Sequence, residues 1–149
     1  MGIETDIQQQ NFKNEYQKAM VNLIYTSNWV NDRTKVFFDR QDITPQQFNI
    51  LRILRGASKP LSTIQIRTRM LDKMSDTSRM VDRLLKKGLV LKTVSLIDKR
   101  LVDVTITETG KQVLQKLDSR EDEMLNIMKG ISEDEAVLLN KLLDKLRSK

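Results

Sequence analysis

The chain has 149 residues, the length of one domain with one core, and a net charge of +6. It contains neither histidine nor cysteine, which excludes disulfides, thiolate catalysis, Ser-His-Asp triads and the usual zinc sites. Only 39% of the residues are hydrophobic while 31% are charged, so the composition favours a core completed by a second copy and a polyanionic partner.

The sequence carries no targeting or membrane signal. Its N-terminus lacks the apolar stretch of a signal peptide, and position 6 is Asp rather than the Ser or Thr of a myristoylation site. No run approaches the about 18 apolar residues of a membrane helix. We therefore expect a cytoplasmic protein without a membrane partner.

The positive charge is concentrated in the middle of the chain. Residues 44–103 contain 13 Lys and Arg against five Asp, a net charge of +8, so the other 89 residues carry −2. This distribution predicts a basic lobe between weakly acidic arms. A solvated basic face without a binding function has the same composition. The positions of these charges on the predicted elements decide between such a face and a lobe that binds a polyanion.

The first predicted element is one long helix over residues 7–38. This segment contains neither Pro nor Gly, and its apolar residues recur mostly at three- or four-residue steps. Such a helix spans about 45 Å at about 1.5 Å per residue, more than a small domain needs for its own core. We expect part of its apolar stripe to contact another chain, although a helix packed within one chain fits the same pattern.

Two short helices are predicted next. Residues 44–47 (Thr-Pro-Gln-Gln) form a capping box that starts a helix ending at Gly56. Residues 62–65 repeat the capping box and start a helix that ends near residues 71–72.

A fourth predicted helix begins at about Ser75 and ends at residues 86–88. Its buried side consists of Val81, Leu84 and Leu85. Two short helices joined by a tight turn make a helix-turn-helix. Residues 89–96 and 101–107 then alternate in polarity, which predicts a two-stranded β-hairpin with a charged tip.

Two helices complete the predicted chain. Thr107 caps a long helix that breaks at Gly130, and Ser132 with Glu135 forms a capping box for a last helix with an apolar stripe. The predicted fold class is mainly α with a small β-wing, in a single domain of residues 1–149. A winged helix-turn-helix lobe over residues 44–107 is flanked by dimerisation helices within residues 1–40 and 108–149.

This order of elements is typical of a DNA-binding lobe. The second helix of the motif enters the major groove, and the hairpin tip lies over the backbone or the minor groove. The candidate contacts at the start of that helix are Ser75, Asp76, Thr77, Ser78 and Arg79. Hydroxyls bind bases or phosphates, and a bidentate contact of Arg79 with guanine discriminates by about 1–3 kcal/mol. Helix capping is the alternative role for Ser75.

Further candidates lie beyond the first turns. Arg83 is a candidate DNA contact on the same helix. At the hairpin tip, Arg100 is long enough to enter a narrow minor groove and Lys99 can neutralise a phosphate. Asp98 is better suited to hold the Arg100 guanidinium by a charge-assisted hydrogen bond than to contact DNA. An ordinary exposed turn has the same composition.

Several runs of the sequence resemble the winged helix-turn-helix core of MarR-family bacterial transcription regulators. These runs are residues 78–84, 87–90, 98–100 and 104–107 and Gly110. The resemblance covers roughly residues 43–117, and it implies an obligate homodimer that binds a pseudo-palindromic double-stranded operator and usually represses. By position, it places residues 75–79 at the major-groove contacts and both Asp98 and Arg100 on the wing motif.

The resemblance also implies a small aromatic or phenolic effector that fills a pocket between the dimer arms and the DNA lobe. That pocket has no signature that can be transferred. Trp29, Tyr25 and Phe48 are candidate aromatic wall residues, and plain core packing is their alternative role. Because the chain lacks Cys and His, it departs from members that sense oxidants or zinc. The sequence predicts no cofactor and no metal.

Two other functions remain open. A module that binds DNA non-specifically, or that binds an acidic protein, would use the same basic lobe; its DNA binding would depend steeply on salt and not on sequence. An enzyme would depend on carboxylates such as Glu121, Asp122 and Glu123. Their place on a predicted helix surface favours a solvated face, and we predict no enzymatic activity.

Overall fold

The structure is a computed structural model that describes residues 1–148. It is mainly helical with one small antiparallel sheet, as the sequence predicts. In chain order the elements are α1 (Ile3–Asp6), α2 (Glu15–Asp39), α3 (Pro45–Gly56), β1 (Leu61–Ser62), α4 (Thr63–Arg69), α5 (Thr77–Lys86), β2 (Val90–Val94), β3 (Val102–Ile106), α6 (Glu108–Asp118), α7 (Glu121–Leu125), a 3-10 turn (Asn126–Met128) and α8 (Glu133–Arg147).

The core lies in the central lobe, where α3 packs against α2, α5, α6 and β3. Ile50, Leu51, Val81, Leu84 and Val104 are fully buried there. Burying a side chain of this size contributes about 1.5–3 kcal/mol, so this core fixes α5 on the lobe. Leu85 was wrongly predicted to face the core, and it is 39% exposed.

The helices α3 and α4 begin at the predicted capping boxes. Thr44 Oγ1 accepts from the Gln47 backbone N–H and Gln47 Oε1 accepts from the Thr44 N–H, both at 3.1 Å. Ser62 and Gln65 exchange the same two bonds at 3.2 and 2.9 Å. A third box starts α8. Because each box satisfies two backbone donors, all three helix starts are well defined.

The predicted two-stranded hairpin is present as β2 and β3, and β1 extends it to a three-stranded sheet in the order β1-β3-β2. β2 and β3 pair antiparallel, with Val90 opposite Ile106. β1 pairs with the other edge of β3, with Leu61 opposite Val104. The sequence did not indicate β1 because two residues are too few to show an alternating pattern.

The predicted helix over residues 7–38 begins too early. The helix α2 starts at Glu15, where the Asn14 side chain accepts a hydrogen bond from the Gln17 backbone N–H at 2.9 Å. Before it, Gln8 has a φ of 54°, in the left-handed region that a continuous helix does not contain. With 25 residues, α2 spans about 37 Å.

The predicted helix from Thr107 to Gly130 is broken after residue 118. Ser119 Oγ donates to the carbonyl oxygen of Lys116 at 2.7 Å, and Arg120 leaves the helical region with a φ of −119°. The Arg120 guanidinium lies 3.1 Å from the Glu123 carboxylate. Local side-chain bonds of this kind compete with helical backbone bonds, and the chain changes into α7 and the 3-10 turn.

Gly110 lies where α6 approaches the wing most closely. A Cβ at this position would lie 2.4 Å from the Leu89 carbonyl oxygen and 2.8 Å from Ile106 Cγ1. The Thr107 hydroxyl caps α6 by accepting from the Gly110 N–H at 3.1 Å, and it donates to the Gly88 carbonyl at 2.7 Å. These contacts fix the start of α6 directly on the sheet.

The arms expose apolar stripes. Within residues 1–148, α8 has no buried residue, and its stripe consists of Val137, Leu138, Leu142 and Leu146. On α2, Tyr16, Met20 and Leu23 are exposed as well. No helix of the described chain is both long and apolar enough to cross a membrane.

Candidate DNA-binding surface

The helix-turn-helix consists of α4, α5 and the turn over residues 70–76, and its helices pack on α3. The Asn49 side chain of α3 holds the turn, since its Oδ1 accepts from the Leu71 backbone N–H at 2.8 Å. Within the turn, Asp72 Oδ1 accepts from the Met74 N–H at 3.0 Å. The helix α4 ends at Arg69, two residues before the predicted end.

The recognition helix α5 begins at Thr77, and its N-cap is Asp76 rather than Ser75. Asp76 Oδ1 accepts from the Arg79 backbone N–H at 3.2 Å. The Ser75 hydroxyl donates instead to the Asp72 carbonyl at 2.8 Å. The capping role considered for Ser75 is therefore wrong; Asp caps helices as well as Ser does.

The side chains at the start of α5 do not all reach the surface. Ser78, Arg79 and Arg83 are exposed. Thr77 is only 3% exposed, and its Oγ1 has no hydrogen-bond partner in the described part of the chain. The structure therefore does not bring Thr77 together with the other candidates on the surface of α5.

Arg79 is available for an intermolecular contact. Its Nε lies 3.7 Å from Asp76 Oδ2, and both side chains are largely exposed. An exposed ion pair at this distance contributes at most about 1 kcal/mol. The guanidinium can therefore exchange this partner for a base edge at little cost.

The wing tip, residues 95–101, is a tightly bonded turn. The buried Ser95 hydroxyl accepts from the backbone N–H groups of Ile97 at 3.2 Å and Asp98 at 3.3 Å. Arg100 Nε donates to Asp98 Oδ1 and Arg100 Nη2 to Asp98 Oδ2, both at 3.1 Å. The predicted pairing of these two residues is thus present. The hydrogen bond from the Arg100 side chain also lowers the pKa of the Asp98 carboxyl. The Arg100 side chain itself is 89% exposed.

Other cations extend the basic surface. Lys92 pairs with Asp82 at 2.8 Å, and Arg55 pairs with Asp118 at 2.6 Å. Exposed cations that form no ion pair with any described residue include Arg67 and Arg69 on α4, Arg83 and Lys86 on α5, and Lys99 in the wing. In the sequence, Arg67, Arg69 and Lys86 contribute only to the charge count of the lobe, since ion pairing depends on the fold.

A cleft of about 680 Å³ lies between α2 and the turn of the helix-turn-helix. Asn31 and Lys35 of α2 face Asn49 and Leu71 across it. Asn49 is 5% exposed, and its Nδ2 has no hydrogen-bond partner among residues 1–148. An unpaired buried amide is unusual, because nearly all buried polar groups have a hydrogen-bond partner.

The three aromatic candidates do not line this cleft. Phe48 stacks on Phe38 at 4.4 Å between ring centroids and packs, partly buried, against the core. Trp29 lies under the Arg33 guanidinium at 4.4 Å and lines a separate apolar groove against α8. Tyr25 is partly exposed and lines neither.

A helix-turn-helix on a three-stranded wing, with an exposed basic recognition helix, defines a winged-helix DNA-binding protein. The MarR family model matches residues 43–102. Over 127 residues, the chain is 30% identical to the multiple antibiotic resistance protein MarR of Salmonella typhimurium, which covers 83% of this chain and 88% of that protein. The chain belongs to the MarR family, whose members are DNA-binding transcription regulators and not enzymes.

Solved structures share this fold. A MarR variant from E. coli in complex with operator DNA superposes with a TM-score of 0.78 at 26% identity, covering 93% of this chain and 100% of that one. The organohalide-sensing transcriptional regulator RdhR, in its 2,4-dichlorophenol-bound form, superposes with a TM-score of 0.82 at 21% identity, covering 93% of this chain and 85% of that one. The family resemblance and the fold class predicted from the sequence are therefore confirmed.

Proposed function

We propose that this protein is a homodimeric repressor that binds a pseudo-palindromic operator through α5 and the wing. One observation supports this most: α5 exposes Arg79 and Arg83 on the same lobe whose wing holds an exposed Arg100 in a fixed orientation. A rigid wing and a basic helix match the two grooves that such proteins contact.

The candidate contacts divide by chemistry. Ser78, Arg79 and Arg83 are proposed to read bases or phosphates in the major groove. Ser75 and Asp76 are proposed to contact DNA at the edge of the major groove. Asp76 also fixes the start of α5 as its N-cap. Thr77 is buried and is left out of the proposed contacts.

Backbone contacts are proposed for the remaining cations. Arg67 and Arg69 lie on α4, the helix that crosses the DNA backbone in helix-turn-helix proteins. Lys86 and Lys99 carry free charges on α5 and in the wing tip. Each phosphate that such a residue neutralises makes the slope of log affinity against log salt concentration steeper by about 0.9.

Two symmetry-related copies are proposed because the arms leave apolar surface uncovered. The stripe on α8 and the exposed apolar residues of α2 belong to the segments that the sequence predicts as dimerisation helices. Large exposed apolar surfaces mark protein contacts. A two-fold dimer would then place two copies of α5 about one helical turn apart on DNA.

Replacing Arg79 by alanine tests the base-reading assignment. We expect Arg79→Ala to lower the ratio of operator to scrambled-duplex affinity by about thirtyfold or more, because the dimer loses two bidentate guanine contacts that each contribute about 1–3 kcal/mol of discrimination. Fluorescence anisotropy titrations of both duplexes measure this ratio. As a control, Arg120→Ala removes one positive charge outside the lobe and should leave the ratio unchanged. An equal loss on both duplexes would assign Arg79 to a phosphate instead.

A small aromatic effector is proposed to occupy the cleft between α2 and the turn. Its volume is about 680 Å³, within the usual range of ligand pockets. A ligand that reached the buried Asn49 Nδ2 could accept from it with a carboxylate or phenol oxygen, and Lys35 supplies a positive charge beside Asp32 and Asp72. Since Asn49 Oδ1 also holds Leu71, a ligand on this amide would act on the turn that precedes α5. The structure of RdhR with 2,4-dichlorophenol supports a phenolic ligand class.

Benzoate and 2,4-dichlorophenol are suitable probes. We expect one of them to release the protein from operator DNA. We also expect Lys35→Met to raise the benzoate concentration needed about fivefold, since a partly exposed ion pair contributes up to about 1 kcal/mol. Competition titrations against a labelled operator measure both effects, and Lys13→Met, outside the cleft, is the control. If neither compound changes DNA affinity or melting temperature, the effector assignment is wrong.

A further inference from the structure

The wing tip carries two large apolar side chains that no described residue covers. Leu96 and Ile97 are fully exposed. They directly follow the buried Ser95 and directly precede Asp98, the residue that holds Arg100. The sequence assigned Leu96 to the end of a strand and Ile97 to the charged tip, without a role for either.

Hydrogen bonds hold the backbone of the turn that carries this apolar pair. The Ser95 N–H donates to the Leu101 carbonyl at 3.0 Å, and the Leu101 N–H donates to the Asp98 carbonyl at 2.9 Å. The Ser95 hydroxyl accepts from the N–H groups of Ile97 and Asp98. A binding partner would therefore meet a preorganised surface and would pay little entropy to order it.

Folding does not require apolar residues at these two positions. Both side chains make no contribution to the core of the lobe, and polar residues are the usual choice in an exposed turn. Exposed apolar groups that lie together mark an interaction site. The neighbours Lys99 and Arg100 are cationic, so the partner must combine an apolar surface with negative charge.

The minor groove of DNA has this combination of properties. Its walls are deoxyribose rings with apolar C–H groups, and phosphates line both edges. Proteins that bind in this groove frequently use Leu, Ile or Phe beside Arg and Lys. An acidic protein also attracts Lys99 and Arg100, but DNA already accounts for the basic face of α5 on the same lobe.

We propose that Leu96 and Ile97 are DNA contacts that pack against the deoxyribose walls of the minor groove next to Arg100. This inference rests on the proposed function. The contact of these two side chains with the groove removes apolar surface from water and releases no counterions. The affinity that it contributes therefore does not depend on salt, unlike that of the phosphate contacts.

The test compares the wild-type protein with the double variant Leu96→Ser/Ile97→Ser on an operator duplex at several salt concentrations. We expect the double variant to bind about tenfold more weakly at each concentration, with an unchanged slope of log affinity against log salt. Lys99→Ala, in the same turn, is the matched control and should make the slope shallower by about 1.8, because the dimer loses two phosphate contacts of about 0.9 each. The apolar variant Leu96→Met/Ile97→Val should bind like the wild type.

Three results would overturn the proposal. Equal affinity of the serine variant and the wild type would show that the pair does not contact DNA. A weaker complex with a shallower salt slope would mean that the turn and Arg100 had moved. A change in sedimentation without a change in DNA affinity would assign the pair to a protein contact. The proposed function fails separately, if the wild type does not distinguish the operator from a scrambled duplex.

Discussion

Arg100→Ala is expected to weaken operator binding about tenfold to a hundredfold while leaving the dimer and the melting temperature unchanged. The Arg100 side chain is 89% exposed and bonds only to Asp98 among the described side chains, so the fold loses little. Two effects add in the complex. The minor groove loses its arginine, and the Asp98 carboxylate is left without its counterion beside DNA.

A double-mutant cycle separates the two effects. Asp98→Asn removes the carboxylate but keeps an acceptor oxygen, so Arg100 is held less firmly and affinity falls less than in Arg100→Ala. Combining the two changes should recover part of the loss of Arg100→Ala, because no unpaired carboxylate remains. Anisotropy titrations of the four proteins measure the coupling. Unaltered affinity of Arg100→Ala would contradict the wing assignment.

Leu142→Asp is expected to produce monomers and to abolish tight operator binding. Leu142 lies in the apolar stripe of α8 and is 55% exposed in the single chain, so an aspartate there stays solvated in the monomer. In a dimer the same carboxylate would be buried without a partner, which costs several kcal/mol. Since two linked half-sites bind far more tightly than one, we expect operator affinity to fall at least about a hundredfold.

Sedimentation velocity at micromolar concentration measures the oligomeric state of this variant. Lys141→Ala, at the preceding position of α8, is the matched control and should remain dimeric. The core of the lobe contains no residue of α8, so circular dichroism should report an unchanged fold. A Leu142→Asp protein that is still dimeric, or a monomeric wild type, would contradict the proposed role of the arms.

Local signals predicted most of the fold. The capping boxes at Thr44 and Ser62 are bonds between residues three positions apart, so their sequence pattern contains the whole interaction. Gly88, with a φ of 72°, ends α5 where the sequence places the end. The same holds for Asp98 and Arg100, which are close in the chain and therefore pair in the turn that the sequence predicts.

Features that depend on tertiary contacts were missed. The sequence indicated Gly110 only as part of the family resemblance, whereas its close contact with the Leu89 carbonyl depends on how α6 crosses the sheet. The sequence predicted Thr77 as an exposed hydroxyl. Its burial results from packing between helices, which leaves no local sequence pattern. Asn49 bonds to a residue 22 positions away, and no local pattern indicates such a bond. The break after Asp118 was missed because the apolar spacing continues through it.

The central claim is that two copies of this chain read a two-fold symmetric DNA site. Selection of duplexes from a random pool, followed by titration of the enriched duplex and a scrambled one at two salt concentrations, tests it most directly. We predict an enriched pseudo-palindrome with half-sites about one helical turn apart, bound by two protomers. Binding without enrichment, equal on both duplexes and steeply dependent on salt, would contradict the claim and identify a non-specific binding module.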